Sequence, residues 1–246
     1  MAEYDELRFG CEFEFYPNTM LEEEMTDDLS AILKPGIKLK KDLPNNDDNH
    51  MNYKKEPSLS ATGGKEITVP ICSYNELKDY IINISKIINE YASTNEATGF
   101  HIHISTVDES IEIDFYKFML LCDEAKLLNN WGKRNSFCLN VMDILTILDL
   151  EDAKKAKNKK GRVWNLEKRK EKGQTNHVEI RTIGGTNYQQ KVEQILIELD
   201  QFIKIFQRSL KNANIDEEYK ALFIKHYEIV KSAQKERREK FLQLIN

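Results

Sequence analysis

Two of the five histidines in this 246-residue chain lie one residue apart in Gly99-Phe100-His101-Ile102-His103-Ile104-Ser105. Phe100, Ile102 and Ile104 alternate with His101, His103 and Ser105, a period of two that predicts a β-strand with one apolar and one polar face. Three other stretches repeat the design. In Arg8 to Tyr16, Phe9, Cys11, Phe13 and Phe15 share a face, with Gly10, Glu12 and Glu14 opposite. In Lys65 to Ile71, Ile67, Val69 and Ile71 oppose Glu66 and Thr68. In His177 to Thr182, Val178 and Ile180 oppose His177, Glu179 and Arg181. Four such strands point to one sheet with a chemical face.

If these strands are neighbours, Glu12, Glu14, Glu66 and Glu179 converge. Like charges 4 Å apart repel by roughly 4 kcal/mol at an effective dielectric near 20, so the cluster must take up protons or bind cations. A carboxylate-rich site suits magnesium or manganese, and His101 or His103 would add a nitrogen ligand. Arg181 is no metal ligand. A guanidinium beside a metal cluster is what a transferring phosphoryl group requires, because its charge sits on oxygens that metal and Arg neutralise together. HxH, ExE and ExR each arise often by chance in strands; their shared phase on separate strands is the informative feature.

Helical spacing and turn residues mark the elements that must position these strands. Glu22 to Leu33 reads as a helix, with Glu22, Glu23 and Glu24 in its first turn and Pro35-Gly36 ending it. Residues 37 to 52 read as a loop, with a short strand at Ile37 to Lys40 and His50 as a solvated loop residue. Asn52 to Ser60 leads through Gly63-Gly64 into the strand at 65 to 71, a hairpin with Glu56 near its turn end. Ser73 to Tyr91 is an amphipathic helix with Ser73 as N-cap and Glu76 three residues on. Ile113 to Trp131 reads as one helix and Met142 to Leu150 as a short apolar one. Residues 154 to 172 are a basic run, a solvated loop by its charge, in which Arg162-Val163-Trp164-Asn165-Leu166 alternates like a strand and can reach phosphate. Stripes over 192 to 210 and 216 to 245 predict two closing helices, with His226 structural or exposed.

With 40% hydrophobic and 31% charged residues, the chain reads as soluble and globular. A formal net charge of -5 gives no global attraction to nucleic acid or anionic membrane. The apolar runs are too short to cross a bilayer, and the acidic start is unlike a secretory signal. Cys11, Cys72, Cys122 and Cys138 form no CxxC pair and read as reduced core thiols, which places the protein in the cytoplasm.

The order of motifs resembles the amidoligases, carboxylate–amine ligases of the glutamine synthetase and glutamate–cysteine ligase superfamily. The series is Gly10-x-Glu12-x-Glu14, Glu56-x-Ser58-Leu59, Gly64-x-Glu66-Ile67-x-Val69-Pro70, Gly99-x-His101-x-His103-x-Ser105, Arg162-x-x-Asn165, and Glu179-x-Arg181 with Gly185-Thr186. It spans roughly residues 8 to 190. The resemblance implies an α+β fold: a curved antiparallel sheet whose concave face holds ATP and magnesium or manganese, with helices on the convex face. It implies a single catalytic domain over 1–246, whose part from about 188 onward is helical. Carried over residue by residue, Glu12, Glu14, Glu66, His101 and Glu179 are metal ligands, with Glu14 also near the nucleotide. His103, Arg162 and Asn165 face ATP, and Arg181 stabilises the transferring phosphoryl group. The family has Asp-Gly-Ser where this chain has Glu56-Pro57-Ser58, so Glu56 keeps the acid, one methylene longer, for amine orientation or metal ligation.

The function this implies is ATP-dependent joining of a carboxylate to an amine through an acyl phosphate, with both substrates unspecified and no membrane or nucleic-acid partner. Two other readings compete. A metal-dependent hydrolase or oxygenase could use His101, His103 and a glutamate, although cupin-like triads sit on nearly all-β folds and this sequence is about half helical. A non-catalytic relative could bind nucleotide, or nucleic acid through the basic loop.

Overall fold

A computed structural model describes residues 4–42, 50–122, 124–131, 164–165, 176–211 and 213–245. Among the described residues, eight strands and six α-helices follow in chain order: β1 Leu7–Pro17, α1 Glu22–Ala31, β2 Lys38–Lys41, β3 His50–Lys55, β4 Lys65–Thr68, α2 Tyr74–Tyr91, β5 Ala92–Ser93, β6 Gly99–Thr106, α3 Phe115–Leu121, α4 Glu124–Trp131, β7 Trp164–Asn165, β8 His177–Gly184, α5 Val192–Arg208 and α6 Glu217–Ile245. Among the described residues the fold is mixed α/β, with seven strands in the order β2-β3-β4-β1-β6-β8-β7 and β5 pairing the end of β1. The central pairs β4–β1, β1–β6 and β6–β8 are antiparallel. β2 departs from the expected all-antiparallel sheet by running parallel to β3. The described helices include none long and apolar enough to cross a membrane.

Alternation decides which face each side chain takes. Phe9, Cys11, Phe13 and Phe15 of β1, Phe100, Ile102 and Ile104 of β6, and Val178 and Ile180 of β8 are all buried in one apolar cluster. Leu77, Ile81, Ile84 and Ile88 of α2 and Ile195, Leu199, Phe202 and Phe206 of α5 join it, each set on one helical stripe. Phe13 and Phe100 meet across β1 and β6 with ring centroids 4.7 Å apart. Truncating either to Ala would cost about 3–5 kcal/mol, the usual penalty for emptying an aromatic site in a core. The α2 start is a complete capping box: Ser73 accepts from Glu76 N–H, and the Glu76 carboxylate accepts from Ser73 N–H.

Several local expectations are corrected. The stretch 113 to 131 is two helices, because Cys122 is extended and ends α3; α3 then packs on α5 and α6 while α4 packs on β8, partners that one straight helix would not serve. His50 is the first residue of β3, paired with Lys38, rather than a loop residue. β4 ends at Thr68. His226 is buried, with its Nδ1 2.6 Å from Tyr116 Oη. As expected of core thiols, Cys11, Cys72 and Cys122 are buried. The expected helix at 142–150, Cys138, Arg162 and the basic run apart from β7 lie outside the described residues.

Candidate functional site

Register across the sheet turns the separate motifs into rows. One row reads Lys54, Glu66, Glu14; the next reads Asn52, Thr68, Glu12, His101; a third reads Gly10, His103, Glu179, Asn165. The Glu12, Glu14, Glu66, His101 and Glu179 side chains therefore share the face opposite the phenylalanines, and all five residues are buried. β8 carries a bulge here: Phe100 pairs with Ile183 and Ile102 with Ile180, so Arg181 and Thr182 together oppose His101. A bulge of this kind re-aims side chains and is frequent beside active sites. Arg181 pairs with the buried Glu179 carboxylate.

Among the described residues two ligand groups emerge, each with candidate ligand atoms within 4.8 Å of one another. Glu12, His103 and Glu179 form one; Glu14, Glu56 and Glu66 form the other. His101 lies between them, with Nδ1 3.0 Å from Glu12 and 3.6 Å from Glu179, and Nε2 3.6 Å from Glu14. The family resemblance implies His101 as the metal ligand and His103 facing the nucleotide; in the structure His103 stands in one triad and His101 lies between the two. Glu56 reaches the second triad from the turn after β3, where it accepts from Ser58 N–H at 3.0 Å and Ser58 Oγ at 2.8 Å. Glu14 also accepts from Gly99 N–H at 2.6 Å. The backbone of Asn165 pairs with Glu179.

The two triads carry their charge differently. Burial, the Glu12 charge and the contact with Glu56 push the Glu66 carboxyl up to about 8, against the pull of Lys54 and Thr68. Lys54 Nζ lies 2.9 Å from Glu66 and Thr68 Oγ1 donates to it at 2.7 Å. Burial works to raise Glu56 as well, but its bonds from Glu66 and Ser58 outweigh this and hold it below the ordinary value. Without a cation, Glu66 is thus the group of this triad that most readily takes up a proton. At the other triad burial also opposes ionisation, yet His103, His101 and Arg181 together hold Glu179 below its ordinary value. Burial alone would lower Arg181, and the neighbouring Glu179 outweighs it and raises the guanidinium further.

Sets of carboxylate oxygens at this spacing could hold a hard divalent cation such as magnesium or manganese, and the imidazole in the first group is a ligand more typical of manganese or zinc. The Nε2 atoms of His101 and His103 are buried without a hydrogen bond, although Glu14 and Glu12 oxygens lie 3.6 and 3.3 Å away. A cation among these groups would engage lone pairs that the side chains leave facing one another. Each triad holds at most one histidine, which is not the two-histidine, one-carboxylate set of an oxygenase.

Sequence reasoning assigned no role to two residues of this face. Lys54 was findable, since the hairpin register places it opposite Glu66. His177 shares the polar phase of β8, but no local motif marks its contact with His103.

No protein-family model and no curated protein sequence matches the chain. Among solved structures, a crystal structure of a novel glutamine synthase homolog is similar over 96% of this chain and 67% of its own, with a TM-score of 0.41 and 13% identity.

Proposed function

We propose that the protein is an ATP-dependent carboxylate–amine ligase whose charged sheet face holds two divalent cations and the phosphates of ATP. The observation that carries this reading is the pair of triads, Glu12/His103/Glu179 and Glu14/Glu56/Glu66, side by side with Arg181 against one of them. The amidoligase-like order of motifs supports it. In this reading the sheet curves around the nucleotide, with helices on its convex side, and Arg162 and Asn165 approach the phosphates.

Divalent cations here would neutralise charge on the phosphate oxygens and hold them in line with the acid. The acid's carboxylate oxygen attacks the γ-phosphorus, the bond to the β-phosphate oxygen breaks, and ADP leaves with an acyl phosphate formed. The amine then attacks the acyl carbon, phosphate leaves, and the amine loses a proton. Arg181 stabilises charge on the transferring oxygens; Glu56, which accepts from Ser58, orients the amine or ligates a cation. The protein supplies position and charge rather than a covalent nucleophile.

ATP turnover with magnesium and pooled acids and amines tests the reading. Amine-dependent release of ADP and phosphate by the wild type, abolished in Glu179→Gln, is the expected result. Equal turnover by the two proteins would remove the claim.

A further inference from the structure

His177 touches the charged face without belonging to either triad. It opens β8 opposite Ser105, two register positions from the His103–Glu179 pair and so on the same face. The His103 and His177 rings are nearly parallel, 16° apart with centroids 5.2 Å apart, and His103 Nδ1 lies 3.1 Å from His177 Nε2. That contact contains one proton and has two possible directions. If His177 donates, neutral His103 carries its own proton on Nε2, where Glu12 Oε1 at 3.3 Å is the acceptor in reach. A cation held at His103 Nε2 excludes that direction, because the proton would occupy the ligating lone pair. If His103 donates from Nδ1, its Nε2 turns a bare lone pair toward the Glu12 carboxylate, the form in which imidazole ligates a cation.

We propose that His177 is a positioning residue: its Nε2 accepts the Nδ1 proton of His103 and so holds His103 in the tautomer whose Nε2 serves the Glu12/His103/Glu179 triad. The inference rests on reading that triad as a cation site. His177 itself needs no contact with cation or substrate. Its work is to set where the proton of its neighbour sits, as outer partners of metal-binding histidines do.

Two measurements on the full chain test this. In the magnesium-loaded protein, long-range proton–nitrogen NMR correlations of the imidazoles read the tautomer. Wild type should carry the His103 proton on Nδ1; His177→Phe, which keeps a flat ring and removes the acceptor, should move it to Nε2. Mn2+ binding followed by electron paramagnetic resonance reads the consequence. His177→Phe should weaken it about ten- to hundredfold, while His177→Gln, whose amide oxygen accepts the same proton, should recover most of the loss. Metal-free melting temperatures of the three proteins should agree.

A wild-type His103 protonated on Nε2 overturns the proposal. So does Mn2+ binding by His177→Phe at wild-type strength while His103→Phe loses it. Equal weakening in the Phe and Gln variants, with lowered melting temperatures, overturns it in favour of packing alone. Wild type with the Nδ1 tautomer but no Mn2+ binding overturns the cation reading, and with it the purpose assigned to His177; the tautomer measurement tells that failure from the others.

Discussion

At one end of the charged face Glu14, Glu56 and Glu66 meet with Lys54 as their near cation; at the other, Glu12 and Glu179 meet with His101, His103 and Arg181 around them. The first end lowers its charge by protonation, with Glu66 raised to about 8. The second stays ionised, with Glu179 held low by three basic neighbours. Burial is similar, since Glu66 is 5% and Glu179 1% exposed. Desolvation therefore does not separate them; the local supply of positive charge does. A cation arriving at the carboxylate end competes with a proton on Glu66, whereas one arriving at the histidine end meets a Glu179 carboxylate that its basic neighbours hold ionised.

The largest expected effect comes from Arg181. Replacing it by Met should lower ATP turnover by about a thousandfold or more, the scale on which a phosphoryl-stabilising arginine acts. It should also make the histidine end resemble the other by letting Glu179 take up a proton. Turnover within tenfold of wild type would break both the assigned role and the contrast.

Next is Glu66→Gln. The amide keeps the shape of the side chain and removes one ligand charge, so Mn2+ stoichiometry should fall from two to one, read by calorimetric titration. Retention of two tight sites would show that the carboxylate triad binds no cation.

The same group gives a pH dependence. Its folded value of about 8 lies above the usual carboxyl value near 4.5, so the folded protein binds the extra proton between them. That contribution to stability is full below the unfolded value and is lost as pH rises through the folded one, with a slope of at most about 1.4 kcal/mol per pH unit. Thermal unfolding of metal-free protein from pH 5 to 8 should show stability falling, with less slope in Glu66→Gln and less under excess magnesium. Equal slopes in wild type and Glu66→Gln would remove the Glu66 proton from the account.

Lys54→Met should have the smallest effect. Without the competing ammonium, Glu66 rises further, and Mn2+ binding at pH 9 strengthens by about fivefold or less, in keeping with a partly exposed ion pair. Weaker binding would recast Lys54 as support for the site rather than a competitor.

Alternation made the two faces of β1, β6 and β8 legible: Phe13 against Glu12 and Glu14, and Ile102 against His101 and His103, follow from a period of two. The α2 start was equally legible, because a Ser73–Glu76 box is a local arrangement of side chain and backbone. The helix break at Cys122 was not, since Phe115, Phe118, Met119 and Leu128 satisfy one stripe and only the separate partners of α3 and α4 divide it. The bulge opposite His101 was not either. Residues 177 to 182 alternate without interruption, and only pairing with β6 shows that Arg181 and Thr182 share one opposing position. Glu56 could be placed near a hairpin end, but its approach to Glu14 and Glu66 depends on the Ser58-bonded turn.

The sequence by itself determined which side chains lie on a charged face and which on an apolar one, because that choice is made by neighbouring residues within a strand. Which acids share a cation site, which histidine stands among them and which bridges was decided only by tertiary structure. Residues 12, 56, 103 and 179 are brought together by inter-strand register and turns, and the protonation of each depends on charges supplied from other strands.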